Sequence, residues 1–290
     1  SSTTLLSNLN ISSVFTMSVA SSISGAFNVN TTSLSIAQTL SGTSTLVFNS
    51  TGTWSGSGAV TMNTNINTAG TLTISGTVTY GTNTLTYITG TLVTTSSTLS
   101  ITSSCTLNTV GMSWNNVTFG ASSATFTLTT DLNVGGTFTQ SSGSNITFNG
   151  ADVYCNGSVS VGAAGSIIQG TSDFFFAGTG TWSGNQAFAS KLTITGTYTL
   201  SGTVAIRGTC TFTCTAGTMI TAGSTFEIPS SSAANVVINT NQTLNNFSAG
   251  TSTITLSQAL IITGTLTYLN NATITINGFS LTIGGSLTLA

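Results

Sequence analysis

The chain of 290 residues has no histidine, one proline and six charged side chains: Asp131, Asp152, Asp173, Glu227, Lys191 and Arg207. An ordinary soluble domain is about a quarter charged. Without histidine the chain lacks the side chain that most often moves protons or ligates metal near neutral pH. Two cations and a net charge of −2 provide no basic stripe to neutralise phosphates, so no nucleic-acid partner is expected. No basic amphipathic segment suits a membrane surface. Apolar runs are short, as in Phe174-Phe175-Phe176-Ala177, far below the roughly 20 residues of a membrane helix, so no membrane insertion is expected. The opening Ser1-Ser2-Thr3-Thr4-Leu5-Leu6 lacks the charged start and apolar core of a leader, so an exported protein would already have shed it.

What is present favours strands. The chain is 39% apolar, too much for a disordered polar tract. Thr, Val, Ile, Phe and Tyr suit a pleated surface, and the helix formers Lys, Glu and Ala are scarce. Apolar and polar residues alternate with period two, as in Leu72-Thr73-Ile74-Ser75, Phe126-Thr127-Leu128-Thr129 and Ile274-Thr275-Ile276-Asn277. Gly and Asn break these runs every five to ten residues, as turns do. The expected fold class is all-β.

Internal repetition narrows the fold. Segments ending at Trp54, Trp114, Trp182 and Leu244 align, so a superrepeat of about 60 residues is expected. A second landmark follows each: Leu72 to Gly76, Leu132 to Gly136, Leu192 to Gly196 and Leu260 to Gly264. Within this lies a finer period. Asp131, Asp152 and Asp173 are evenly spaced, and each opens the pattern Asp, apolar, any, apolar, any, Gly. About 20 residues is one coil of a parallel β-helix, too small to bury its own apolar face. The expected architecture is one β-solenoid domain over 1–290, with superrepeats near 45–104, 105–172, 173–234 and 235–290. About fourteen coils at roughly 4.8 Å each give a rod on the order of 70 Å long. The competing fold is a β-sandwich with strand exchange, but a Greek key gives no simple cause for so short and even a period.

The repeats, such as Trp114-Asn115-Asn116-Val117-Thr118-Phe119 followed by Leu132-Asn133-Val134-Gly135-Gly136-Thr137-Phe138-Thr139, resemble Thr/Ser/Gly-rich β-solenoid surface proteins. These include adhesin-like and filamentous-haemagglutinin-like bacterial proteins and some phage fibres. The resemblance runs from about residue 45 onward and implies an extracellular or surface location. It implies no catalytic residue and no cofactor.

Several side chains are candidates for chemistry. On a solenoid Asp131, Asp152 and Asp173 stack on successive coils, where carboxylates can serve as acid and base or hold Ca²⁺. Like charges about 5 Å apart repel unless protonated or paired, and Thr71 and Lys191 stand at the equivalent positions, as at a solvated strand entry. Lys191 and Glu227 are placed to pair across coils, as is Arg207 with an aspartate. Cys105, Cys155, Cys210 and Cys214 read as buried thiols, with a cross-coil disulfide from Cys155 to Cys210 or Cys214 as the alternative. Cys210 and Cys214 share a side with Phe212 and lie about 13 Å apart, too far to bond each other. Trp54, Trp114 and Trp182, with Tyr80, Tyr87, Tyr154, Tyr198 and Tyr268, are either a sugar-stacking surface or interior stacking at equivalent repeat positions. The nine Asn-X-Ser/Thr sequons, at Asn10, Asn30, Asn49, Asn116, Asn145, Asn156, Asn241, Asn246 and Asn271, match what chance gives in so Ser/Thr-rich a chain. Thr-x-Thr rows such as Thr71 to Thr73 and Thr77 to Thr79 fit an ice-binding face or simple polar filling.

Neither terminus carries the caps expected of a free-standing solenoid, and Pro229 is internal. The expected function is a non-enzymatic subunit of an extracellular filament or cell-surface fibre that assembles with copies of itself by β-pairing. The alternatives are an adhesin or phage-fibre stalk that meets surface glycans, and a polysaccharide-active β-helix. No catalytic, cofactor or metal residues are expected.

Overall fold

The computed structural model describes all residues except 1, 5–6, 26–27, 111, 121–122, 142–145, 163–166, 185–186, 207, 230–234, 251–252 and 270–271. It is an all-β parallel solenoid of about 13 turns with coils roughly 20 residues apart. Each coil lays one strand on each of three faces. One coil runs through Asn116–Phe119 on the first face, Thr125–Leu128 on the second and Leu132–Val134 on the third. The next coil repeats this with Phe138–Gln140, Ile146–Gly150 and Val153–Cys155, each paired in parallel with its predecessor. In the early coils one strand serves two faces: Thr64–Ile74 pairs along the second face and then, past the corner, along the third. Past Thr218–Ile220 the first face continues as a separate short sheet of Thr243–Leu244, Leu260–Ile262 and Leu281–Ile283.

Period-two alternation builds the core. In Phe174–Phe176 the outer two rings are buried and Phe175 points outward. The inward rings of successive coils meet along the axis. Phe148 lies 4.9 Å from Phe119, 5.2 Å from Phe126 and 5.4 Å from Phe174 between ring centres. Burying one such ring contributes on the order of 1.5–3 kcal/mol. Two tyrosines pin coils from within. The Tyr80 hydroxyl donates to the Met62 carbonyl at 3.0 Å, and the Tyr198 hydroxyl lies 2.7 Å from the Cys155 carbonyl and 2.8 Å from that of Gly157. Tyr198 reaches two coils down because the coil between presents Gly180 as its paired residue.

The tryptophans do not all occupy equivalent positions, contrary to the alignment made on them. Trp54 and Trp114 lie on the third face, but Trp182 lies between Val159 and Leu200 on the first. The local matches have a longer period. Thr51-Gly52-Thr53-Trp54-Ser55-Gly56 recurs unchanged as Thr179 to Gly184. The hydrogen bonds recur too: the Thr53 amide donates to Ser33 Oγ at 2.8 Å and the Thr181 amide to Ser158 Oγ at 3.1 Å. Gly56 and Gly184 have φ of 97° and 102°, which glycine alone adopts readily. A second corner behaves alike. Asn115 Nδ2 donates to the Ser97 carbonyl, and the Thr137 amide donates to Asn116 Oδ1. Asn245 and Asn246 do the same with Ser224 and Thr265. Each later copy sits one face further round: Asn116–Phe119 is on the first face and Asn246–Ala249 on the second. Each motif therefore returns after six coils plus a third of a turn. The three corners of a coil accept the same local sequence.

Two copies of the second landmark share the third face, whereas the Leu260 to Gly264 copy lies on the first. Leu132, Val153, Phe174 and Leu192 form one inward column over three coil steps, so Leu132 and Leu192 are equivalent.

Candidate functional site

The aspartates do stack. Asp131, Asp152 and Asp173 immediately precede the third-face strands of three successive coils. Two of the three carboxylates accept from the coil that follows: the Asp152 amide donates to Asp131 Oδ1 and the Asp173 amide to Asp152 Oδ1, both at 3.0 Å. A carboxylate is a strong acceptor for a main-chain N–H, so this ladder accounts for aspartate recurring once per coil. The column ends at Lys191, whose Nζ lies 2.8 Å from Asp173 Oδ2. Hydrogen bonding to that carboxylate, more than the opposing effect of burial, raises the Lys191 pKa.

This corrects the pairing expected from sequence. Lys191 pairs with Asp173 in its own column, and Glu227 lies on the second face between Ala205 and Ser248. Arg207, Asn145 and Asn271 lie outside the described residues. Among the described residues, no three His, Cys, Asp or Glu side chains gather where they could hold a metal ion.

All four cysteines are buried free thiols. Cys155 and Cys214 belong to one inward column, but Phe176 and Ile194 intervene. Three coil steps are about 14 Å, far beyond disulfide reach. Cys210 lies four residues before Cys214 on the same strand, further still from Cys155. Burial pushes the Cys105 and Cys210 thiols up to about 12 and Cys214 to about 11, and raises Cys155 as well.

The aromatic residues divide by face. Trp54, Trp114, Trp182, Tyr80 and Tyr198 are interior, so the expected sugar-stacking surface does not include them. Tyr87 and Tyr268 are half-buried, with hydroxyls bonded to the carbonyls of Gly90 and Ala272. On the outside of the third face Tyr154 and Phe175 stack across adjacent coils, centroids 4.7 Å apart and planes within 9°. Lys191 Nζ lies 5.9 Å from the Phe175 centroid. Burial first, then the charges of Asp131, Asp152 and Asp173, raises the Tyr154 pKa. This ring pair beside the carboxylate column is the most chemically distinctive surface among the described residues. Its signal was present in the sequence: the spacing that stacks the aspartates also stacks the residues two places on.

Elsewhere the surface is hydroxyl and amide. On the first face, outward columns run through Thr77, Thr98, Asn116, Thr137, Ser158, Thr181 and Thr199, and through Thr79, Ser100, Thr118, Thr139, Ser160, Ser183 and Ser201. Surface depressions such as that of Asn83, Thr84, Ser104, Thr106, Thr125 and Thr127 are open and similarly lined. Comparison with known family models, with curated proteins and with solved structures finds no match.

Proposed function

We propose that this chain is a non-enzymatic structural element of an extracellular filament or cell-surface fibre, assembled from copies that pair strand to strand. The observation that carries this reading is how the coils already associate. They are joined by in-register parallel main-chain bonds and flanked on the first face by two columns in which thirteen of fourteen side chains are Ser or Thr. Parallel pairing between copies uses the same donors and acceptors. A charge placed on every coil would recur as a column of like charges about 4.8 Å apart and oppose association. Hydroxyls remain hydrated without that repulsion.

Sedimentation velocity on the purified chain over a concentration series tests the proposal. The expected result is reversible growth into species much larger than one chain, with little dependence on salt because the contacts are uncharged. A single slow species at every concentration would overturn it.

A further inference from the structure

We propose that the outer ring face of Tyr154, flanked by Asp131 and Asp152, is a binding site for an organic ammonium group. The argument starts from what the chain does at the opposite end of the same stack. There Lys191 places its ammonium 5.9 Å from the Phe175 centroid while bonding Asp173 Oδ2 at 2.8 Å. Ring and carboxylate together hold a cation, the ring through its negative face and the carboxylate through charge.

The parts recur at the Tyr154 end without the lysine. One face of Tyr154 is covered by Phe175. The other looks onto the coil below, where the paired residue is Asn133, a much shorter side chain. Asp152 immediately precedes the strand that carries Tyr154, and Asp131 likewise precedes the strand that carries Asn133. In each, Oδ1 accepts the amide of the next coil. The Oδ2 atoms are the counterparts of the one that holds Lys191 on Asp173, and both carboxylates lie near enough for their charge to act on Tyr154. Among the described residues the sole ion pair is Lys191–Asp173; the charge of Lys191 also reaches Asp152 at longer range, but neither Asp131 nor Asp152 makes an ion-pair contact there. A ring with two carboxylates fits a primary ammonium better than a neutral sugar, because a neutral ligand leaves their mutual repulsion uncompensated.

The ammonium can come from a lysine side chain of a protein or from an amino sugar, and the experiment separates these. Two-dimensional NMR follows the protein during titration with n-butylammonium, n-butanol, Nα-acetyl-lysine amide and glucosamine at low salt. Saturable shifts centred on Tyr154 and Asp152 are expected with n-butylammonium and not with n-butanol. The stronger binder of Nα-acetyl-lysine amide and glucosamine then identifies the source. Tyr154→Ala should weaken binding about two- to five-fold, the range for a cation over an exposed ring. Asp131→Asn and Asp152→Asn keep an oxygen for the coil-to-coil hydrogen bond and remove only the charge, so the fold stays intact and binding should still fall. Equal shifts with butanol, unchanged binding in both Asn variants, or no saturable binding of butylammonium would overturn the proposal. None of these outcomes depends on filament assembly.

Discussion

The run Phe174-Phe175-Phe176 places one residue type at three consecutive positions, so it isolates the effect of facing in or out. Phe174 is fully buried, with ring centres of Phe138, Phe148 and Phe188 at 6.0, 5.4 and 5.2 Å. Phe176 is equally buried against Trp182, Phe188 and Tyr198 at 5.4, 5.7 and 4.9 Å. Truncating a buried phenylalanine to alanine costs about 3–5 kcal/mol, the sum of lost transfer free energy and a residual cavity. Here the cavity cannot close easily, because main-chain ladders fix the coil spacing on every face. Phe174→Ala and Phe176→Ala should therefore each destabilise by about 4 kcal/mol. Phe175→Ala loses one half-buried stack with Tyr154 and should cost about 1 kcal/mol. Urea denaturation followed by circular dichroism measures all three. Since stability in a solenoid is carried between neighbouring repeats, the two inward variants should also broaden or split the transition. If Phe175→Ala proved as damaging as its neighbours, or Phe174→Ala cost under about 1 kcal/mol, the assigned register would be wrong.

Other consequences follow from the same geometry. Gly56 and Gly184 combine positive φ with a Cβ position 2.1 and 1.7 Å from the Ile36 and Val161 carbonyl oxygens, so alanine at either should cost about 2 kcal/mol or more. Gly202, with φ of 71° and open space around it, should lose only about 1 kcal/mol on the same change, as thermal melts would show. Asp152→Ala removes the acceptor for the Asp173 amide and should cost about 1 kcal/mol, whereas Asp152→Asn should be near neutral in urea melts. The thiols ionise near 9 when unfolded but near 12 for Cys105 and Cys210 and 11 for Cys214 when folded. Their contribution is complete below pH 9 and declines as pH rises toward 11–12, because the unfolded chain loses those protons first. Urea midpoints should fall between pH 8 and 10.5, and the native protein at pH 8 should resist a thiol reagent that labels all four cysteines in denaturant.

Much of the fold could be read from the residues because a solenoid repeats its simplest signals. Alternation at Phe126-Thr127-Leu128 assigned inside and outside, and the even spacing of Asp131, Asp152 and Asp173 gave the coil length. The third-face column Leu132 to Leu192 was legible for the same reason. The tryptophan alignment failed because sequence similarity reports a local corner, not which of three corners it is. Trp54 and Trp182 share the same six residues and the same hydrogen bonds but stand on different faces. The Lys191–Glu227 pairing failed similarly: residue spacing alone did not place Glu227 on the second face, away from the column of Lys191. The stack of Tyr154 on Phe175 was legible in principle, since both follow an aspartate by two. It was missed because the candidate stacking set took in only Trp and Tyr and so left out Phe175.

Cryo-electron microscopy of the concentrated protein tests the central claim most directly. Our account predicts filaments whose strands lie across the long axis with a rise of about 4.8 Å per coil, with copies joined by continuous parallel pairing. Well-dispersed single rods at all concentrations, or filaments whose copies meet without strand pairing, would contradict it.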